Sequence, residues 1–395
     1  MKLSRLNAQP VAACAEILGM AADNAALARF CALGLPSKRS EEYRYFKPEA
    51  LFEREYTLTQ RQIKPVKEHE KIIIEDGTVV AAPKGMRIYY DTFDKVDTEH
   101  FDPIYHLSHA LAPQVIKIDL DGDAEVELHH RFTKPSALIS YRIVLANQAN
   151  RHATLFETFE DAGAKESLVL YGYDTFVAPD STLRIIKNQL IDNDGYAMIA
   201  SHRFKLDTRA NAVYKSFDMG SGEALQLIKA ELDAYARFDA GHLLYLNDAS
   251  RRGTISKIIH VGEHATSNQE AKNILDGEAR GIFDALIKVE HSAKYTKAHQ
   301  NSKAILLDER AYMAAKPQLE IYIDELEASH GSTTGQLDEK QLFYLRSRGI
   351  SKIEARKMLV IAFANTLIEQ IKDGRQQEII KATFDKAFYA AHKDG

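Results

Sequence analysis

Leu138-Ile-Ser-Tyr-Arg-Ile-Val-Leu145, with Ser167-Leu-Val-Leu-Tyr171, Leu183-Arg-Ile-Ile186 and Ala197-Met-Ile-Ala200 after it, decides the architecture. Each run is short, rich in β-branched and aromatic residues, and followed by turn-forming residues, the composition of strands buried on a pleated surface. The texture reaches back to Val115-Ile-Lys-Ile-Asp-Leu120 and on through Ala212-Val-Tyr-Lys-Ser-Phe217, Ala234-Tyr-Ala-Arg-Phe238 and Lys257-Ile-Ile-His260. Hardly any helical period survives between residues 70 and 325. Proline is rare there and Asn-Gly pairs, the signal of tight hairpins, are few, which favours strands joined by bends and stacked as a β-solenoid. No clean repeat length emerges, so a sandwich stays open at this level.

Outward from that core, residues 1–70 read as a helical region. Ala12, Ala13, Ile17 and Leu18, then Ala25, Leu27, Ala28 and Phe30, recur at near-helical spacing, and Gly34-Leu-Pro36 supplies a stop. Residues 71–335 form the strand core, and 336–395 return to helix. Asp338 and Ser351 stand as helix caps with Gln341 and Glu354 three residues on, and Gly349 falls where a left-handed C-terminal residue is wanted. Ala355, Met358, Leu359, Ala362, Phe363 and Leu367 form an apolar stripe. Between core and helices runs Lys316-Pro-Gln-Leu-Glu-Ile-Tyr-Ile-Asp-Glu-Leu-Glu-Ala-Ser-His330-Gly-Ser-Thr-Thr-Gly-Gln-Leu-Asp338. It reads as an alternating strand, with Leu319, Ile321 and Ile323 on one face, passing through a turn that bears His330 into a capped helix.

A 395-residue chain with 45 % hydrophobic content can bury a large core, and its net charge of −5 removes the electrostatic argument for a nucleic-acid partner. The apolar residues near the N-terminus are interrupted by Glu16 and Asp23, so neither secretion nor a membrane span is expected. Two cysteines, Cys14 and Cys31, cannot form a disulfide framework or a four-thiolate metal site, and they read as small buried apolar side chains in a reducing, cytoplasmic setting.

No GxxxxGK[ST] loop, HExxH, GxSxG or CxxC occurs, so the chain itself should not hydrolyse nucleotides. Gly220-Ser-Gly222 lacks the third glycine of a dinucleotide turn and reads as a strand-to-strand turn. Asp119, Asp121 and Asp123 alternate but lack the glycine and distal glutamate of a calcium loop, which argues against a polysaccharide-active β-helix enzyme. The fifteen histidines are scattered. His260 and His264, four apart with Glu263 between them, would share a strand face and could sketch a metal site, or else stack as hydrogen-bonding neighbours. His299 reads as structural. His330, flanked by Ser329, Gly331, Ser332 and Thr333, has room for backbone approach and hydroxyls that could orient its ring, and on residue physics alone a structural role is favoured.

Three stretches change that balance. Gly34-Leu-Pro-Ser-Lys-Arg-Ser-Glu-Glu-Tyr-Arg-Tyr-Phe46, Lys297-Ala-His-Gln-Asn-Ser-Lys-Ala-Ile-Leu-Leu307 with Lys316-Pro-Gln-Leu-Glu-Ile-Tyr322, and Ser329 to Ile350 resemble the SufB/SufD family, and within it the SufD branch. The resemblance implies a mainly β protein, a right-handed parallel β-helix flanked by N-terminal and C-terminal helical regions. It implies a non-catalytic scaffold subunit of iron–sulfur cluster assembly, pairing its last strands with a SufB-like paralogue. A SufC-like ATPase would dock on the C-terminal helices, where Arg346, Arg348, Ile350, Met358 and Leu359 are the candidate contacts. No cofactor would be held permanently: His330 would meet a transient iron or iron–sulfur cluster shared with the paralogue. Many SufD sequences carry a cysteine two positions before this histidine. Here stands Ala328, so sulfur would come from the partner, and the SufB branch, which depends on cysteine, is excluded. A self-associating iron-binding scaffold acting without the paralogue is the alternative.

Overall fold

The computed structural model describes residues 1–59, 64–93, 95–96, 101–120, 122–192 and 194–392. Among these residues the core is sixteen strands that alternate between two sheets. The first sheet holds β1 (Gln114–Leu120), β3 (Ala137–Asn147), β5 (Leu168–Val177), β7 (Ala197–Leu206), β9 (Glu223–Leu232), β11 (Arg251–His260), β13 (Arg280–Val289) and β15 (Tyr312–Ile321). The second holds β2 (Ala124–Phe132), β4 (His152–Asp161), β6 (Thr182–Ile191), β8 (Asn211–Gly220), β10 (Arg237–Leu246), β12 (Thr266–Leu275), β14 (Thr296–Leu306) and β16 (Leu326–Gly335). Each strand lies parallel to the one a full turn earlier, which makes a parallel β-solenoid of about eight turns.

The elusive repeat length has a simple cause. Met198 pairs with Ala224, 26 positions on, whereas Arg280 pairs with Tyr312, 32 on. The strands stay near ten residues and the corners absorb the difference. Many corners turn on one residue in the left-handed region, among them Glu166, Asp180, Arg209, Asp248 and, unusually for bulky side chains, Tyr235, His264 and Tyr295. Those three are held by backbone bonds to the following turn: Tyr235 N to Glu263 O at 2.8 Å, His264 N to Lys294 O and Tyr295 N to Glu325 O, both at 2.7 Å. Their rings stack at 4.8 Å, the strand spacing. Gly220, with φ of +103°, ends β8 in the strand-to-strand turn expected.

The N-terminal end of the solenoid is closed. Ile88–Thr92 pairs antiparallel with β1, and Ile72–Glu75 covers β2 while pairing antiparallel with Thr78–Ala82. Helices cover both outer faces, as sheets buried on two sides require. On the first sheet, α1 (Val11–Leu18), α2 (Ala25–Leu33), α3 (Glu49–Glu53) and α4 (Pro103–Leu111) bury Leu27, Phe30, Leu51 and Leu107 against Leu138, Leu170, Ile199 and Leu227. Tyr43 and Phe46 pack their rings into the same cluster. On the second sheet lie α5 (Glu339–Ser347), α6 (Lys352–Ile368) and α7 (Gly374–Ala391). Their Val360, Leu367, Ile380 and Phe384 meet Phe156, Ile186, Phe217 and Tyr245. Asp338 and Ser351 cap α5 and α6 as expected, with Ser351 Oγ accepting from Glu354 N at 3.2 Å. The stripe on α6 is rotated from its expected position: Met358 and Ala362 are exposed, while Val360, Ala364 and Ile368 join Ala355 and Leu367 inside.

Helix α4 interrupts the segment read as strands. Asp102 caps it through Ile104 N at 2.7 Å, with Pro103 at its first position. Buried charge ties it to the solenoid. Arg142 Nη2 reaches Asp174 at 2.7 Å, Tyr105 OH donates to Asp174 at 2.8 Å, and His109 Nε2 lies 3.0 Å from it. Burial would raise the Asp174 carboxyl, but Arg142 and His109 outweigh it and hold that group below the carboxylate range. Asp174→Asn should cost about 3–5 kcal/mol in urea unfolding, because it strands a buried guanidinium. The Arg142→Met/Asp174→Leu double variant should lose less than the two single changes combined.

The lumen also carries polar groups. Glu157 lies in contact with Tyr173 OH and 3.1 Å from His130 Nε2. Burial pushes its carboxyl up to about 8 although Lys187 opposes the shift. Between the unfolded carboxylate range near 4.3 and that value, the folded state binds the extra proton, so stability should fall as pH rises from about 5 to 8. Glu157→Gln should flatten that slope in denaturation midpoints measured across the range.

Candidate functional site at the open end of the solenoid

At the C-terminal end the solenoid stops without a cap. β16 pairs with β14 and β15 with β13, and among the described residues neither has a strand on its other side. Two ten-residue strands therefore present unpaired N–H and C=O groups side by side.

His330 lies in the middle of β16, not in a turn. Register places it one rung beyond Gln300, which itself follows Gln269. Gln300 and Ala298 are buried in the lumen, and Ala328, next to Ala298 in register, packs on the core, so the period of two sets His330 on the lumen-facing side. The file Tyr214, Ala240, Gln269, Gln300, His330 thus turns polar towards the opening, where the imidazole is exposed at the rim. Gln300 Nε2 is anchored on Gln318 O at 2.9 Å. Across the lumen β15 offers Ala315 and Leu319, which supply no ligand atoms.

The other histidines fall elsewhere. Ser329 Oγ bonds His299 Nδ1 at 2.8 Å on the outer face, so it does not orient His330. His260 ends β11 buried, 2.8 Å from Ser267 Oγ, and burial lowers its imidazole to about 4. His264 stands at the exposed corner between two tyrosines, so the pair shares no face and the metal-site reading of His260, Glu263 and His264 is overturned. The cause is that β11 ends at His260 and period two with it. Among the described residues no three His, Cys, Asp or Glu side chains converge as metal ligands. Asp119 pairs with Arg87 at 3.2 Å and Asp123 accepts from His152 N at 2.8 Å, while Asp121 lies outside the described residues. Cys14 is buried, and burial pushes the half-buried Cys31 thiol up to about 12, which disfavours its thiolate.

On the C-terminal helices, Arg346 and Arg348 are exposed, Met358 is 45 % exposed, and Ile350 and Leu359 are half-buried. Sequence reasoning missed the most prominent group there. Phe343 is 74 % and Tyr344 57 % exposed, with the Arg348 guanidinium 5.3 Å from the Tyr344 ring. The signal existed: Leu342 takes the buried face of α5, and its two neighbours cannot share it.

Comparison with known proteins gives this geometry a family. The profile described as SUF system FeS cluster assembly, SufBD core domain, matches residues 130–363, from β2 to α6. The chain belongs to the SufB/SufD family of iron–sulfur cluster assembly proteins. Within that family it is most like SufD: it is 26 % identical over 381 residues to the iron-sulfur cluster assembly protein SufD of Escherichia coli K12, covering 88 % of each chain. The SufD of Bacillus subtilis 168 is 31 % identical over 126 residues, 32 % of this chain and 29 % of that one. The SufD of Plasmodium falciparum is 23 % identical over 252 residues, 63 % of this chain and 17 % of that one.

Because His330 sits at the rim and Gln300 within, His330→Ala should leave the urea midpoint unchanged, whereas Gln300→Ala should cost about 1 kcal/mol through the lost bond to the partly buried Gln318 carbonyl.

Proposed function

We propose that this chain is a non-catalytic scaffold subunit of a cytosolic iron–sulfur cluster assembly complex, pairing through β15 and β16 with a SufB-like paralogue and docking a SufC-like ATPase on α5 and α6. The observation that carries the reading is the asymmetry of the solenoid, capped at one end and bare at the other, with His330 in its last rung. A partner solenoid that adds strands there would satisfy both edges and extend the lumen, enclosing His330 between the chains. Iron or a nascent cluster is then cargo: one imidazole would come from this side, and thiolate from the partner, since Ala328 offers none. Among the described residues no helix is long and apolar enough to cross a membrane.

The ATPase surface follows the same logic. Phe343 and Tyr344, beside Arg346 and Arg348, have the composition of an interface anchor, aromatic rings with arginine around them. ATP-driven motion delivered there would reach the solenoid through the apolar contacts of α6 and α7 on Phe217 and Tyr245.

His330→Ala should assemble normally with the paralogue and the ATPase yet lower cluster yield, read by absorbance in a reconstituted three-component system. Unchanged yield removes His330 from the site. Phe343→Asp should reduce ATPase pulldown at least tenfold while the fold, followed by circular dichroism, is kept. Sedimentation of the isolated chain tests the self-associating alternative, which the same bare edges favour: a dimer that persists beside excess paralogue contradicts the scaffold reading.

A further inference from the structure

Midway along the lumen lies a cavity of about 10 Å³, walled in part by Ser216, Asp218, Gln226, His242, Thr254 and Ala271. Its polar groups are nearly all spoken for. Asp218 is held by Lys187 Nζ at 3.2 Å and by Gln226 Nε2 at 2.7 Å, and Ser216 Oγ by His242 Nδ1 at 2.9 Å and Gln226 Nε2 at 3.0 Å. Among the described residues His242 Nε2 is buried without a hydrogen-bond partner. Burial lowers this imidazole to about 3, so it is neutral, with one nitrogen donating and the other accepting.

We propose that this cavity is a binding site for one resident water, hydrogen-bonded to His242 Nε2 and to the Thr254 hydroxyl. The volume is that of a single molecule, and an unmet buried imidazole nitrogen is the kind of group such waters satisfy. Ions fit worse. A cation would meet Lys187 beside it and the buried Arg252 in the wall, and an anion would meet the Asp218 carboxylate. The position has a structural consequence: Asn273, another wall residue, donates to Ser302 Oγ at 3.2 Å, and Ser302 is next to Ser332 of β16 in register. The cavity wall thus adjoins the neutral polar residues that lead to the bare edge.

A high-resolution crystal structure of the whole chain should show one density peak about 2.7–3.2 Å from His242 Nε2. Thr254→Val keeps the shape but removes a partner, and should lower Tm by about 1–3 °C. Ala271, the neighbour of His242 in register, lines the cavity, so Ala271→Ser should put a hydroxyl where the water sits, abolish the peak and keep Tm. No peak beside well-ordered side chains, a His242 ring turned to place carbon in the cavity, or an unaltered Tm in Thr254→Val would each overturn the site.

Discussion

Parallel backbone hydrogen bonding between successive turns is the constraint on which the rest of this protein depends. Each strand must satisfy its N–H and C=O groups on two sides, and in a solenoid it does so with the turn before and the turn after. Two terminal turns are left over. At the N-terminal end, short strands complete both ladders, Ile88–Thr92 antiparallel to the first sheet and Ile72–Glu75 parallel to the second. At the C-terminal end nothing among the described residues does, and the bare strands carry the histidine that the family resemblance singles out. The position of this candidate residue is thus a by-product of where the ladder stops.

In-register stacking also decides what the lumen holds. Residues of equivalent position lie one strand spacing apart, so a polar side chain inside must find its partner in the same file or across the lumen. Lys187, Asp218 and Gln226 do this across the sheets, and Tyr173, Glu157 and His130 do likewise a turn earlier. Outside, the same rule builds the Tyr235, His264 and Tyr295 stack. The helices serve both faces: the N-terminal set locks the first sheet through the Arg142 and Asp174 pair, and the C-terminal set covers the second while leaving Phe343 and Tyr344 to solvent.

Much of this was legible beforehand. β-branched runs without hairpin signals announced stacked strands, and Asp338, Gly349 and Ser351 announced the helical ends correctly. Helix α4 was missed although Asp102-Pro103 is a good start signal, because nine residues carry too little period to stand out among strands. Ser329-His-Gly-Ser-Thr-Thr-Gly335 has poor strand propensity and by itself reads as a turn, yet it lies in β16. Pairing with β14 along ten positions overrides that propensity, since the ladder bonds are made whatever the side chains are.

By itself the sequence determined the class of fold, its helical ends and the absence of nucleotide and thiolate motifs, and through a family resemblance it nominated His330 as the candidate. Only the tertiary structure decided which way His330 faces, that His260 and His264 part company, and that Phe343 and Tyr344 stand exposed. The physical reason is register. Local composition says that a segment will be a strand, but which file a side chain joins depends on corners whose length varies so that the repeat runs from 26 to 32 residues per turn, and these are set by packing across the solenoid.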